Sequence, residues 1–206
     1  GTQNVAVGSL AGDAMTTSDY NVAVGYNAAG SSTTGDSNSV LGRQALFSNT
    51  TGSNNVAVGR DALEANTTAD DNTAVGFHAL VTNTTGHSNV AVGKFALRYN
   101  TTGQENTALG SMALITNTTA SDNVAVGRQT MYANTTGAQN TALGAYALDA
   151  STTGLDNVAL GYSALGDNTT ASYNTAVGRS ALVYNTTGAS NTAVGYKAGY
   201  SNTTAT

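Results

Sequence analysis

One asparagine recurs every 17 residues through the chain, at Asn4, Asn21, Asn38, Asn55, Asn72, Asn89, Asn106, Asn123, Asn140, Asn157, Asn174 and Asn191. A short apolar run and a glycine follow it each time. Self-similarity at a fixed period marks an array whose units bury their faces only against neighbouring units. Residues 1–206 therefore read as one array of twelve units counted from Asn4, with no linker and no second domain.

Numbered from its asparagine, the unit reads Asn, Val/Thr, Ala, Val/Leu, Gly, two variable residues, Ala, Leu, two variable residues, Asn, Thr, Thr, Gly, two variable residues. The first-column Asn, the fifth-column Gly and the Thr pair occur in all twelve units. Each apolar run is too short for a helical period, is rich in β-branched residues and is closed by Gly, with Asn-Thr-Thr-Gly punctuating the other side. This pattern predicts an all-β parallel β-roll, a β-solenoid of twelve 17-residue coils, each with two strand-sized pieces and two turns. At about 4.8 Å per coil the rod would be roughly 58 Å long.

The repeated columns acquire structural roles from this reading. Gly59, Gly76, Gly93 and Gly110 supply a turn conformation that a Cβ would penalise, and Gly in the fifteenth column does the same in seven units. Asn55, Asn72, Asn89 and Asn106 can stack their amides coil upon coil and satisfy turn backbone groups. The Thr pairs, such as Thr50 with Thr51 and Thr67 with Thr68, belong to the other turn and its ladder.

Strand alternation sends the second and fourth columns to one face and the third to the other. Both faces are apolar: Val56 and Val58 oppose Ala57, and in the expected second strand Leu63 opposes Ala62. Only one face can point into the coil, so the other needs a cover. The small Ala columns at the third and eighth positions would let a neighbouring chain approach, which favours a homo-oligomer of parallel, in-register chains over a lone solenoid.

The run Asn-Val-Ala-Val-Gly-x-x-Ala, at Asn55 to Ala62 and again at Asn89 to Ala96, resembles the head repeats of trimeric autotransporter adhesins. Longer units with Asn-Thr-Thr-Gly are similar to repeats of phage tail-fibre and bacterial surface-fibre proteins. The resemblance implies a homotrimeric β-roll in an extracellular adhesive fibre, on a cell surface or a virion, with a host or surface receptor. The unit here is longer by Asn-Thr-Thr, and no stalk, anchor barrel or chaperone domain accompanies it. The alternative is a self-assembling filament subunit of a matrix or surface polymer. Neither terminal unit carries a cap, so the array is expected to continue or to stack end to end.

Chemistry is sparsely represented. His78 and His87 sit in different columns and there is no Cys, so no zinc site is expected; acids such as Asp36, Asp70, Asp71, Glu105, Asp122 and Asp156 occupy the sixteenth and seventeenth columns in about half the units, too irregularly for a calcium roll. They read as solvated turn residues. No His-carboxylate pair recurs beside the abundant Ser and Thr, so neither a nucleophile nor any cofactor is expected. With 7 Lys+Arg scattered singly against 12 Asp+Glu, no basic groove for nucleic acid forms. No apolar run is long enough to span a membrane, and Gly1 opens directly into patterned sequence without a leader.

Nine units carry an Asn-Thr-Thr glycosylation pattern, which a repeated turn preferring these residues explains from one cause. The paired Thr columns suggest ice binding as a minor alternative, although adjacent residues of a strand face opposite ways. Partner specificity would reside in the sixth, seventh, tenth and eleventh columns. These carry Phe77, Phe95, Arg98, Tyr99, Tyr132, Tyr146, Tyr162 and Tyr184, residue types suited either to binding or to covering the rod.

Overall fold

A computed structural model of the chain describes residues 1–204. Its strands, from β1 (Val5–Val7) and β2 (Val22–Val24) to β12 (Thr192–Val194), are three residues each and recur at the 17-residue period. They form one twelve-stranded parallel sheet in sequence order. Each strand pairs column to column with the next, as in Val56 with Thr73, Ala57 with Ala74 and Val58 with Val75. The result is a parallel β-solenoid of about eleven turns, without helix among the described residues.

The expected second strand is absent. Its place is taken by a corner in which the seventh and ninth columns have positive φ, as at Asp61 (58°) and Leu63 (53°). The seventeenth column does the same, as at Asp71 (59°). Left-handed backbone is costly for residues with a Cβ, so a compensating interaction is needed. It is found in the axial hydrogen bonds: Asp61 N–H donates to Arg43 O and Asp71 N–H to Ser53 O in the coil before, and Leu63 N–H donates to Ala79 O in the coil after. The corner thereby joins the axial ladder at these columns, while Ala62 N–H donates within its own coil to Gly59 O.

That corner corrects two sequence-based expectations. Ala62 and Leu63 do not oppose one another; both are completely buried, because successive right- and left-handed residues turn the chain instead of alternating its faces. The Ala columns are not a surface for another chain either. Ala57, Ala74 and Ala91 of the third column and Ala62, Ala79 and Ala96 of the eighth have no exposed area, and with the leucines they make up the apolar interior. Where the eighth column is Thr130, its buried hydroxyl donates to Gly144 O at 2.7 Å.

The glycine columns differ from each other. At Gly110 φ is +139°, and an added Cβ would strike the carbonyl of Gly127 in the next coil, so conformation and close approach both demand glycine. Fifteenth-column glycines such as Gly52 have no positive φ; a Cβ there would crowd the Ala69 carbonyl and the Asn49 side chain. Close approach alone is relieved by a small backbone adjustment, which is consistent with Ala69, Ala120 and Ala171 in the same column.

Opposite the apolar interior lies a polar one. Asn55 donates its backbone N–H and its Nδ2 to Asn38 Oδ1 at 2.9 and 3.2 Å, and Nδ2 also reaches Ala69 O at 2.9 Å. A second ladder runs through the twelfth column: Asn66 Nδ2 donates to Asn49 Oδ1 at 2.9 Å and to the same Ala69 O at 3.0 Å. Both lone pairs of that carbonyl are used, one by each ladder. Asn49, Asn66, Asn83, Asn100, Asn117, Asn134, Asn168 and Asn185 are fully buried, so eight of the nine glycosylation patterns are inaccessible in the folded rod.

The twelfth-column ladder breaks where Ser151 replaces Asn, and Asn134 Oδ1 is left buried without a partner. Ser151→Asn is expected to restore the step and to stabilise the rod by about 1–2 kcal/mol in denaturant titrations, since an orphaned buried acceptor costs that order of free energy. For the left-handed corner, Leu114→Ile keeps volume and polarity but places a β-branched residue at φ 50°. It is expected to cost about 2 kcal/mol or more, against less than about 1 kcal/mol for Leu114→Met. Equal losses in thermal melts would mean that packing, and not backbone conformation, governs this column.

Candidate functional site

With the interior closed by leucine, alanine and asparagine, the outward columns are the available chemical surface. The strand face presents the second and fourth columns, with Val22 42%, Leu41 52%, Val92 38%, Val124 38% and Leu143 50% exposed, while the third-column residue between them, Ala or Val40, is buried in these strands. It is a strip two side chains wide along the sheet from β1 to β12, Val or Leu throughout the fourth column and Val, Thr or Ser in the second. Contiguous apolar exposure on this pattern marks an interaction surface more often than isolated exposed residues do.

Charges flank this strip unequally. Beyond Gly of the fifth column, the sixth and seventh columns hold Arg43, Arg60, Lys94, Arg128, Arg179 and Lys197, six of the 7 basic residues, with Asp61 as their one acid. On the other side, the sixteenth and seventeenth columns hold Asp19, Asp36, Asp70, Asp71, Glu105, Asp122 and Asp156, seven of the 12 acids, and no Lys or Arg.

The sixteenth-column acids are more than solvated turn residues. Asp36 Oδ1 accepts the Asp19 N–H at 2.7 Å and Asp70 Oδ1 the Ser53 N–H at 2.7 Å, so their carboxylates bridge coils. Asp19 accepts the Thr2 N–H in the same way, which holds its carboxyl below the usual carboxylate range. Ser does the same work where it replaces Asp, as Ser121 Oγ accepts from Gln104 N–H at 3.0 Å.

Several sequence-predicted surface residues gather into groups. Phe77 and Phe95 have ring centroids 5.3 Å apart. Arg60 lies 4.3 Å over Phe77, and Lys94 and Arg98 lie 4.8 and 4.6 Å over Phe95. Arg98 also reaches Tyr99 at 5.0 Å. Asp61 completes the group, with Oδ atoms 3.4 Å from Arg43, 3.2 Å from Arg60 and 3.1 Å from His78. Cation–π stacking of this kind fixes long side chains against the rod.

Tyr146 and Tyr162 form a second pair, 5.7 Å apart, with Arg128 and Arg179 over their rings at 4.7 and 5.5 Å. Tyr184 pairs with Tyr200 at 4.8 Å, and the Tyr200 hydroxyl contact at 3.3 Å holds the Tyr184 phenol above its usual range. Tyr132 is 38% exposed and stands apart from these groups. Sequence reasoning missed Lys94, Asp61 and Tyr200 as members; the signal was their coil-to-coil distance of about 17 residues from aromatic or basic residues in the same outward columns.

The Thr pair divides its roles. Thr50 and Thr67 of the thirteenth column donate their hydroxyls to the Thr67 and Thr84 carbonyls at 3.0 and 3.1 Å, whereas Thr51 and Thr68 of the fourteenth are exposed. Among the described residues no three His, Asp or Glu side chains converge as metal ligands, and no helix is long and apolar enough to cross a membrane. Comparison of the chain with protein-family models, curated proteins and solved structures returns no match.

Asp149, in the tenth column, is the group whose ionisation is most displaced. Burial pushes its carboxyl up to about 6 from 3.8, and the nearby Asp167 charge adds to the rise. An acid with a raised folded pKa binds more protons in the native state, so its stabilising share is full below pH 3.8 and is lost as pH rises through about 6. Because the side chain is half-buried, solvent screening reduces the effect to the order of 1 kcal/mol. Melting temperature is expected to fall between pH 4 and 7, with Asp149→Asn removing that part of the fall.

Proposed function

We propose that the chain is a non-enzymatic, extracellular repeat-fibre segment that mediates surface attachment in the manner of an adhesin head, assembled as a parallel homotrimer on a cell surface or virion. The observation that carries this reading is the division between columns. Interior columns barely vary, whereas the outward sixth, seventh, tenth and eleventh columns differ from coil to coil and cluster aromatic with basic side chains. A rigid rod displaying such groups suits recognition of a surface receptor, because Arg and aromatic residues supply much of the binding energy at interfaces.

The second reading, a self-assembling structural filament, is favoured by the axial ladder itself. Every coil donates and accepts through the same columns, so one coil's face is complementary to the next. Concentration-dependent lengthening under the electron microscope would support it.

The test of attachment uses the full chain immobilised on beads and incubated with candidate host cells. Phe95→Ala with Arg98→Ala is expected to reduce retention about tenfold or more, while Tyr132→Ala, outside the clusters, has a smaller effect. Equal retention by all three proteins, or none by the unsubstituted chain on any surface tried, would overturn the adhesive reading.

A further inference from the structure

The sixth column places one outward side chain on every coil, and its middle alternates basic with uncharged residues: Arg60, Phe77, Lys94, Ser111, Arg128. Backbone bonds hold this line in register. The residue that follows each position donates its N–H to the sixth-column carbonyl of the coil before, His78 to Arg60 O at 3.1 Å, Phe95 to Phe77 O at 3.0 Å, Met112 to Lys94 O at 2.9 Å and Gln129 to Ser111 O at 3.0 Å. Successive cations therefore stand two coils apart, about 10 Å at strand spacing.

We propose that this line binds a linear acidic polysaccharide in which acidic and neutral sugars alternate, laid parallel to the rod with one sugar against each coil. The inference rests on the receptor-binding surface proposed above and names the chemistry of the receptor.

The charge balance along the line supports an anionic ligand. Arg43, one coil before Arg60, shares the Asp61 carboxylate with it at 3.4 and 3.2 Å, so two guanidinium groups meet one acid. The carboxylate is turned inward, with the Asp61 side chain 10% exposed against 54% and 53% for the two arginines. Lys94 and Arg128 are exposed and form no ion pair among the described residues. One unmatched positive charge thus recurs about every second coil from Arg60 to Arg128. Aromatic rings fix each cation from one side, Phe77 under Arg60, Phe95 under Lys94 and Tyr146 under Arg128 at 4.3 to 4.8 Å. Holding long side chains in place before the ligand arrives lowers the ordering cost of binding.

The spacing selects among polyanions. A sugar ring in an extended chain advances by about the height of one coil, so a polymer with an acid on every second sugar repeats its charge in step with the cations. An extended acidic peptide advances about 3.3 Å per residue and returns to one side at about 6.6 Å, out of step with them. A single-stranded nucleic acid carries charge on every unit and needs open aromatic faces for its bases, whereas Phe77, Phe95 and Tyr146 already hold cations on theirs. Arginine presents a planar donor pair to a carboxylate, and lysine a point charge. The alternation ends at Arg128, since Arg179 lies three coils further on.

The test measures binding of the full chain to immobilised hyaluronan and to unsulfated chondroitin, which both carry one carboxylate per disaccharide, at low ionic strength. Both are expected to bind, and affinity to fall as salt is added. Lys94→Gln with Arg128→Gln is expected to weaken binding about tenfold or more, with an unchanged circular dichroism spectrum. Because Arg128 also contacts Tyr146, the decisive variant is Lys94→Gln with Ser111→Lys, which keeps every aromatic contact of Arg60 and Arg128 and the same net charge but moves one cation by one coil. It is expected to weaken binding about fivefold or more, as only a ligand in step with the coils requires.

Full affinity in the shifted variant would overturn the proposal, as would an oligothymidylate or a phosphatidylserine vesicle that binds as tightly as hyaluronan, because charge alone would then suffice. Absence of binding to both polysaccharides would also overturn it. Retention on cells by a chain that binds neither polysaccharide would sink the ligand class and leave attachment standing, whereas polysaccharide binding that depends on the alternation supports the inference whatever the cell assay returns.

Discussion

Axial hydrogen bonding from each coil to the next is the constraint from which the rest of this structure follows. Three strand residues per turn could not hold a rod together, yet the ladder extends far beyond them. Val56 N–H donates to Asn72 O, Leu63 to Ala79 O and Thr67 to Thr84 O in the following coil, while Gly59, Asp61 and Asp71 donate to the preceding one. Orienting so many N–H groups along one axis requires departures from strand geometry, and the left-handed seventh, ninth and seventeenth columns are those departures. Their conformational cost is offset by backbone groups that would otherwise be buried unpaired.

The same constraint explains why a large part of the interior is polar. In the coil spacing that the ladder imposes, identical side chains lie directly over one another, and a buried amide can then donate to its equivalent in one coil and accept from it in the other. Asn55 and Asn66 add a second donation each, to Ala69 O. A buried polar network is costly when incomplete and specifying when complete. Misplacing the register by one residue would orphan both ladders as well as the apolar column, so the network selects one winding of a low-complexity sequence.

Because interior and ladder consume the invariant columns, variation is confined to the surface, where it carries charge and aromatic character. Asp61 collects Arg43, Arg60 and His78, and Phe95 collects Lys94 and Arg98, from columns that fall far apart in sequence but within one or two coils in space. Basic and acidic residues separate onto opposite sides of the outward strand face, so a rod of net charge -5 still gathers six of its 7 basic residues along one edge.

By itself the sequence determined the 17-residue coil, the parallel in-register stacking, the glycine at positions such as Gly110 and the existence of an asparagine ladder, because these depend on period and on residues with few conformational alternatives. The second asparagine ladder was less legible: Asn-Thr-Thr reads equally as a turn, and only its burial distinguishes it. The left-handed corner left one trace, the absence of Val, Ile and Thr from the seventh, ninth and seventeenth columns of a chain otherwise rich in Thr. Which apolar face turns inward was decided by tertiary structure alone. Alanine at Ala57 and valine at Val56 and Val58 satisfy strand alternation either way, and it is the folded coil that turns the third column, Ala57 and Val40 alike, onto the buried leucines. That choice in turn placed valine and leucine outward between two oppositely charged edges, an arrangement that exists around the coil and not along the chain.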